Sequence, residues 1–194
     1  LSNNLTIIEM SAFEGCTSLG SITIPNSVTE IGIYAFEDCI SLTNVTFSNN
    51  LTIIKMSAFE GCTSLGGITI PNSVTEINHA AFKDCTSLTN VTLSNNLTII
   101  EMGLFQGCTS LRSITIPSSV TNISQSAFEL CRNLESVTIQ RENVDITNLD
   151  LFAFYQCNLL EIIVPANRII DYKNASDWSN YSSLMHYTDL IPII

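Results

Sequence analysis

Apolar and polar positions repeat along this chain with one fixed period. The segment 58–71 shows the unit, which is Ala-Phe, a cysteine three residues after the phenylalanine, and then Leu-x-x-Ile-x-Ile-Pro. The cysteine recurs every 23 residues, at Cys16, Cys39, Cys62, Cys85, Cys108 and Cys131, and once more at Cys157 after a step of 26. The phenylalanine keeps the same period, at Phe13, Phe36, Phe59, Phe82, Phe105, Phe128 and Phe154. Such a period is typical of stacked repeats, because one unit cannot bury its apolar face without a neighbour.

Each repeat is predicted to contain two short strands and a return segment. Ile22 and Ile24 alternate with polar residues, and Pro25 ends this first strand because it has no N–H donor. Residues 28–31 form a second extended piece, and residues 34–39 return the chain through a turn of α-helix or 3₁₀ helix. The predicted fold is a repeat solenoid, a right-handed coil of 23-residue repeats. A parallel β-sheet forms its concave face, with short strands and short helical or 3₁₀ turns on the other sides.

Two blocks of two repeats are nearly identical. Residues 3–48 and 49–94 differ at eight of 46 aligned positions, which indicates a recent duplication of the two-repeat block. The differing pairs are Glu9/Lys55, Ser21/Gly67, Gly32/Asn78, Ile33/His79, Tyr34/Ala80, Glu37/Lys83, Ile40/Thr86 and Phe47/Leu93.

The regular pattern ends towards the C-terminus. After Ile139 the chain enters a loop that is three residues longer than in earlier repeats. Residues 1–165 are expected to form about seven repeats, truncated at the N-terminus because the chain begins partway through one. Residues 166–194 contain the only tryptophan, Trp178, and are expected to form a C-terminal cap over the exposed apolar end.

Charge excludes some classes of partner. Lys and Arg number 7 against 18 Asp and Glu, giving a net charge of -11, and no basic cluster occurs. Nucleic acids and anionic membrane surfaces are therefore not expected as partners. No apolar run is long enough to span a membrane. Charged residues make up 13% of the chain, so the surface should be largely neutral and polar, which suits contact with a protein.

The repeat resembles a known family. The run Leu-x-x-Ile-x-Ile-Pro-x-x-Val-x-x-Ile-x-x-x-Ala-Phe-x-x-Cys occupies residues 19–39 and 65–85 and is similar to the BspA-like, or Treponema-type, leucine-rich repeat. The resemblance covers about residues 3–165, and the segment 172–178 is similar to caps of the same family. It implies a cell-surface or secreted protein of mucosal bacteria or protozoan parasites. It also implies binding of a protein partner, such as a host extracellular-matrix or cell-surface protein.

The cysteines do not show a metal-binding or disulfide pattern. No Cys-x-x-Cys pair occurs, and His79 and His186 are out of register with the cysteines. We expect the six regular cysteines to form an inward column against the phenylalanines. Stacked coils bring their Cα atoms within disulfide range, but parallel Cβ directions disfavour the bond. We therefore expect free thiols, with no metal and no cofactor.

Motifs of enzyme active sites are absent from the sequence. No Gly-rich phosphate loop, no Gly-x-Ser-x-Gly and no His-Glu-x-x-His occurs. Glutamates recur once per repeat at Glu14, Glu37, Glu60 and Glu129, but Lys83 and Gln106 interrupt them. We interpret this column as a solvated edge and expect no enzyme activity. A second column, Asn3, Asn26, Asn49, Asn72 and Asn95, is predicted to bond to backbone groups of adjacent coils.

A column of outward polar residues on the first strand is the candidate binding site. Its residues are Thr23, Asn44, Thr46, Thr69, Asn90, Thr92, Ser113, Thr115, Ser136 and Thr138. One interpretation is structural, since threonine favours strands and contacts threonine on the neighbouring strand. The other is a neutral hydrogen-bonding surface for a partner on the concave face. Ice binding ranks third, because each strand carries one outward threonine on a curved face.

The leading hypothesis is a non-catalytic cell-surface or secreted binding and adhesion module that recognises host or neighbouring-cell proteins through the concave sheet. One alternative is a structural spacer that displays another domain. A second alternative is an intracellular scaffold for protein–protein interactions. The sequence that precedes Leu1 would separate these hypotheses, because a signal peptide or anchor excludes the scaffold.

Overall fold

The computed structural model describes residues 1–141, 148–150 and 152–188. The longer loop predicted after Ile139 lies largely outside these residues, as does the end of the predicted cap, residues 189–194.

The chain forms a parallel β-solenoid with two strands in each full coil. The strands are β1 (Ile7–Ile8), β2 (Ser21–Thr23), β3 (Glu30–Ile31), β4 (Asn44–Thr46), β5 (Ile53–Ile54), β6 (Gly67–Thr69), β7 (Glu76–Ile77), β8 (Asn90–Thr92), β9 (Ile99–Ile100), β10 (Ser113–Ile116), β11 (Asn122–Ile123), β12 (Ser136–Ile139), β13 (Asn148–Leu149), β14 (Glu161–Pro165) and β15 (Met185–Thr188). Odd-numbered strands up to β13 form one side, and the even-numbered strands with β15 form the other.

Neighbouring strands pair in the register that the repeat predicts. Ile22 lies opposite Val45 in β4, and Ile8 lies opposite Ile31 in β3, so each partner is 23 residues further along. Val137 is instead paired with Ile162, a step of 25. These parallel pairings confirm the solenoid and its 23-residue coil.

Stacked phenylalanine rings run through the core. The ring centroids of Phe59 and Phe82 are 5.3 Å apart, and those of Phe82 and Phe105 are 5.7 Å apart. The planes of these two pairs differ by 3° and 9°, so the rings lie nearly parallel, and all three side chains are fully buried. Each ring therefore contacts one neighbour above and one below, which confirms the predicted column.

The return segment between the two sides is built of turns rather than helix. The sequence predicts a helical turn over residues 34–39, but only some amides bond locally there, as when the Glu37 N–H donates to the Tyr34 carbonyl (3.1 Å). The Phe36 N–H donates instead to Ala58 of the next coil (2.8 Å). Tyr34 and Asp38 also have positive φ, 57° and 55°. A left-handed residue cannot continue a right-handed helix, so the segment follows a series of turns.

In the first five coils, the left-handed position before the cysteine alternates between glycine and aspartate. In chain order it is occupied by Gly15, Asp38, Gly61, Asp84 and Gly107, all with positive φ. A Cβ added to Gly61 would collide with the Asp38 carboxylate, and one added to Gly107 would collide with that of Asp84. Each of these aspartates therefore uses the space beside the glycine of the next coil.

Five of the six regular cysteines are buried in the core as predicted, whereas Cys16 of the first coil is exposed because no described coil covers it; all seven cysteines are free thiols. The Cys62 thiol donates a hydrogen bond to the Phe36 carbonyl of the preceding coil at 3.2 Å, and Cys85 bonds to Phe59 at the same distance. Burial raises the pKa of the Cys62 thiol to about 12. The thiol column thus satisfies core carbonyls and is held in its unreactive, protonated form.

A thiol titration should reflect this arrangement. In denaturant without reductant we expect seven free thiols, because no pair of cysteines is bonded. In the native protein at pH 8, Cys16 should react first, since it is exposed whereas Cys85 and Cys108 are buried with raised pKa values. A count of one or three free thiols in denaturant would mean that the column is cross-linked.

The C-terminal segment covers the last coil. It consists of 3₁₀ helices Ala166–Arg168 and Ser176–Leu184, the α-helix α1 (Ile169–Asn174) and the strand β15. Trp178 and Tyr172 are fully buried with their rings packed edge to face at 5.6 Å, and Tyr181 packs edge-on against Phe154 at 5.8 Å. β15 then pairs with β14 and extends the repeat sheet. The division into repeats and cap at residue 165 stays a prediction.

Candidate partner-binding face

The ten predicted residues lie together on one surface, formed by the outward side chains of the even-numbered strands β2 to β12. We call this surface the threonine face. Inward neighbours such as Val45 and Ile68 are buried, whereas Thr46 and Thr69 are exposed, as period-two alternation requires. All ten are exposed except Ser136 and Thr138, which are half-buried. Threonines of paired strands stand opposite each other, for example Thr69 and Thr92.

Eight threonines elsewhere in the described coils donate hydroxyl hydrogen bonds that hold neighbouring coils together. The Thr43 hydroxyl donates to the Gly20 carbonyl at 2.8 Å, and Thr89 and Thr52 make the same bond to the preceding coil at 2.9 Å. On the threonine face the pattern differs. Among the described residues, no threonine hydroxyl of this face bonds to another protein group. The threonines of paired strands stand opposite each other, as the structural interpretation expects, but their hydroxyls make no hydrogen bond within the described protein and are free to bond a partner.

The threonine column continues beyond its predicted end. Ile163 stands opposite Thr138, and His186 stands opposite Ile163, so both belong to the same column. The 23-residue period does not predict these two positions, because β14 follows β12 after a step of 25 residues. Pro165 was the available signal, since it closes Ile162-Ile-Val-Pro just as Pro25 closes Ile22-Thr-Ile-Pro.

Among the described strands on this side of the molecule, charged side chains occur only towards the C-terminal end. A depression of about 460 Å³ there is lined by charged or titratable residues, Arg112, Glu135, Glu161 and His186, together with Leu160, Ser113 and Ser136. The even-numbered strands β2, β4, β6 and β8 carry no charged residue. The threonine face is therefore neutral over its first four strands.

A second depression lies in this neutral part, and we call it the Gly67 notch. Its volume is about 590 Å³, and it extends over strands β4, β6 and β8. Its lining residues are Thr43, Asn44, Val45, Thr46, Phe47, Asn49, Gly67, Ile68, Thr69, Pro71, Asn90 and Thr92. Five of the ten predicted binding residues thus meet around one glycine, whose position differs between the two duplicated blocks.

The glutamate column forms a ladder along the return segments. Lys83 Nζ pairs with Glu60 at 2.6 Å, and the Gln106 amide donates to Glu129 at 2.9 Å. Burial, together with the charges of Glu60 and Glu14, raises the pKa of Glu37. The residues that interrupt the glutamates are thus their partners. Within the described residues, no group of three His, Cys, Asp or Glu side chains is arranged to hold a metal ion.

The asparagine column also bonds between coils, but through more residues than the sequence predicted. The Asn95 N–H donates to the Asn72 side chain at 2.8 Å, as expected. The next position along the chain contributes equally, since Asn50 and Asn96 donate side-chain hydrogen bonds to Asn26 and Asn72 carbonyls at 2.8 and 2.7 Å. These asparagines stabilise the stack.

Parallel strands, 23-residue coils and an inward Leu-Ile-Phe-Cys pattern define a leucine-rich-repeat solenoid. The family model for the BspA type leucine rich repeat region matches residues 1–78 and 52–179, with 6 copies. The chain belongs to the BspA-type leucine-rich repeat family. Proteins built from such repeats are typically non-catalytic and bind other proteins.

Three solved structures illustrate the similarity. A leucine-rich repeat protein of T. pallidum shares 34% identity and a TM-score of 0.64, over 70% of this chain and 65% of that one. One from Bacteroides ovatus shares 29% identity and a TM-score of 0.59, over 84% and 47%. The pneumococcal vaccine antigen PcpA shares the fold, with a TM-score of 0.68 at 19% identity, over 87% and 40%. The chain therefore spans less than two thirds of each structure. A search of curated proteins found no match.

Proposed function

We propose that this chain is a non-catalytic adhesion module at the cell surface or in secreted form. It binds proteins of a host or a neighbouring cell through the threonine face. The observation that carries this proposal is the contrast between two sets of threonines. Eight threonines elsewhere in the described coils donate a hydroxyl hydrogen bond to the preceding coil. None of the six face threonines does, and all six except the half-buried Thr138 are exposed. The family supports a protein as the partner. The described residues contain no helix that is long and apolar enough to cross a membrane.

The geometry of the face suits an extended interface. Six strands spaced by about 4.8 Å place a hydroxyl at regular steps over roughly 24 Å, comparable with the width of an ordinary protein–protein interface. Each hydrogen bond contributes only about 1 kcal/mol, so affinity would come from many modest contacts rather than from one charged anchor. The side chains are small, which lets a partner approach the backbone of the sheet closely.

Arginine substitutions on the face test the proposal. Replacing Thr69 and Thr92 together by arginine should weaken binding to immobilised host matrix proteins or epithelial cells by about tenfold or more, because two bulky charges then block the face. The melting temperature should change by no more than about 2 °C, since both positions are exposed. Surface plasmon resonance and thermal unfolding would measure the two effects.

The matched control adds two arginines elsewhere. Glu14→Arg with Gln106→Arg places them on the return segments, where Gln106 already faces Glu129. Glu60 is a poorer choice, because its carboxylate pairs with Lys83. Loss of binding in the control with retention in the face variant would show that the site is wrong. Retention in both would leave the threonine face a structural element only, and a chain that binds none of these surfaces would favour the spacer.

A further inference from the structure

We propose that the Gly67 notch is a binding site for a neutral oligosaccharide. The proposal deepens the function proposed above, on which it rests for the use of the threonine face, and it names the chemical class of a ligand there. Three features of the notch support it: a glycine that leaves space in the face, walls that can hydrogen-bond, and the absence of charged lining residues.

The empty space exists because of one residue. Gly67 occupies an outward position of β6. The same position is Asn90 on the paired strand β8 and Asn44 on the neighbouring strand β4. In the other copy of the duplicated block it is Ser21. A Cβ at Gly67 would meet only Asn90 O at 3.5 Å and Asn90 Cβ at 3.7 Å, which are ordinary contacts. Unlike Gly61, this glycine also has no positive φ. The fold does not require glycine here, and its effect is to open the face.

The walls carry groups that both donate and accept hydrogen bonds. The amides of Asn44 and Asn90 flank Gly67, and the hydroxyls of Thr46, Thr69 and Thr92 line the same depression. Amides and hydroxyls match sugar hydroxyls, which also donate and accept. Among the described residues, none of these three hydroxyls is engaged with the protein, so a ligand could bond to them without breaking an existing bond. The Asn90 amide donates to the Thr89 hydroxyl at 3.1 Å, and its oxygen makes no hydrogen bond among the described residues.

The apolar lining of the notch and its lack of charged residues favour a neutral ligand that has both apolar and hydroxyl surfaces. The half-buried Phe47 and Pro71 also line the notch and can pack against the C–H surfaces of a sugar ring. No lining residue is charged, and the chain carries a net charge of -11. Anionic ligands are disfavoured, and a basic side chain of a protein would find no carboxylate in the notch. The volume of about 590 Å³ is within the ordinary range of roughly 300–1,000 Å³ for small-molecule sites.

The test uses isolated oligosaccharides, so no partner protein is needed. Neutral tri- and tetrasaccharides of galactose, mannose and N-acetylglucosamine would be titrated into the protein by NMR or calorimetry, beside a sialylated form of each. We expect at least one neutral compound to bind with a dissociation constant of about 1 mM or lower, and its sialylated form to bind about fivefold more weakly. If none of the neutral compounds binds, the proposal is overturned.

A native-like substitution fills the notch without stressing the fold. Gly67→Asn installs the residue found at Asn44 and Asn90, and it should weaken oligosaccharide binding by about tenfold. Gly20→Asn makes the same substitution outside the notch, where an added Cβ would meet no atom within 4 Å, and it should leave binding within about twofold of the parent. Equal affinities of Gly67→Asn and the parent would overturn the proposal, as would equal losses in both variants.

Failure of this proposal can be told apart from failure of the proposed function. Thr23→Arg with Thr115→Arg obstructs the threonine face outside the notch, so it should weaken binding of a protein partner and spare an oligosaccharide. A partner protein would be tested with its glycans present and after their removal. If the parent and the Gly67→Asn variant bind both forms with the same affinity, the notch proposal fails and the proposed function stands. If oligosaccharides bind in the notch while no protein binds the face, the reverse holds.

Discussion

Replacing Phe82 by alanine is expected to lower the free energy of unfolding by about 3–5 kcal/mol. The ring is fully buried between Phe59 and Phe105, with centroid distances of 5.3 and 5.7 Å. Neither neighbour can close the gap, because the backbone ladder on each coil fixes the spacing of the stack. The substitution therefore removes the transfer free energy of the ring and leaves a cavity. Urea denaturation followed by circular dichroism would measure the loss.

Phe13→Ala is the matched control for the same column. Phe13 is only half-buried and stacks on one neighbour among the described residues, Phe36, at 5.0 Å. Its removal should cost clearly less than removal of Phe82, because less apolar surface is exposed and no enclosed cavity forms. Similar losses for the two variants would contradict the idea that the stacked rings carry the stability of the coil.

The second large effect is expected at the C-terminal end. Trp178→Ala should lower the free energy of unfolding of this segment by about 3–5 kcal/mol, because the indole is fully buried against Tyr172 and Tyr181. Since Tyr181 in turn covers Phe154, loosening should expose the last coil. A direct reporter is Cys157, whose pKa burial raises to about 12. Native maleimide labelling of Cys157, read by mass spectrometry, should become faster in the variant.

Two comparisons make this result specific. Tyr187→Ala removes an aromatic ring of the same segment that is 52% exposed, so it should change stability by no more than about 0.5 kcal/mol. Labelling of Cys62, far from the segment, should be unchanged by Trp178→Ala. An unchanged labelling rate at Cys157 would show that the indole does not hold the segment on the last coil.

The solenoid architecture could be predicted from the sequence because it depends on the repeat period. The backbone conformation of the return segment could not be predicted in this way. Inward leucines, isoleucines, phenylalanines and cysteines recur at one spacing, and stacking is the arrangement that buries them all. The helical turn was wrong because local preference assigns left-handed φ to glycine, while Tyr34, Asp38 and Ala80 adopt it here. Backbone bonds to the next coil stabilise that strained conformation, and a single repeat contains no sign of them.

The sequence predicts where the candidate site residues lie, but not which of their hydroxyls are free of hydrogen bonds within the protein. Alternation along the strand predicts that Thr46 points outward, and it does. Nothing in the sequence distinguishes its free hydroxyl from that of Thr43, which bonds to Gly20, because the difference depends on which carbonyl of the preceding coil lies within reach. The Gly67 notch likewise depends on three strands together, and the glycine alone is too common a residue to indicate it.

The alternation of aspartate and glycine before the cysteines limits how this protein can change in length. Loss of the single coil that carries Gly61 would place Asp38 beneath Asp84, where the Cβ and charge of the second would meet the carboxylate of the first. Loss or gain of two coils would preserve every Asp38–Gly61 type of contact. Recombination between the near-identical 46-residue blocks would thus change the length of the solenoid in steps of two coils, or about 10 Å, and would leave the chemistry of its surface unchanged.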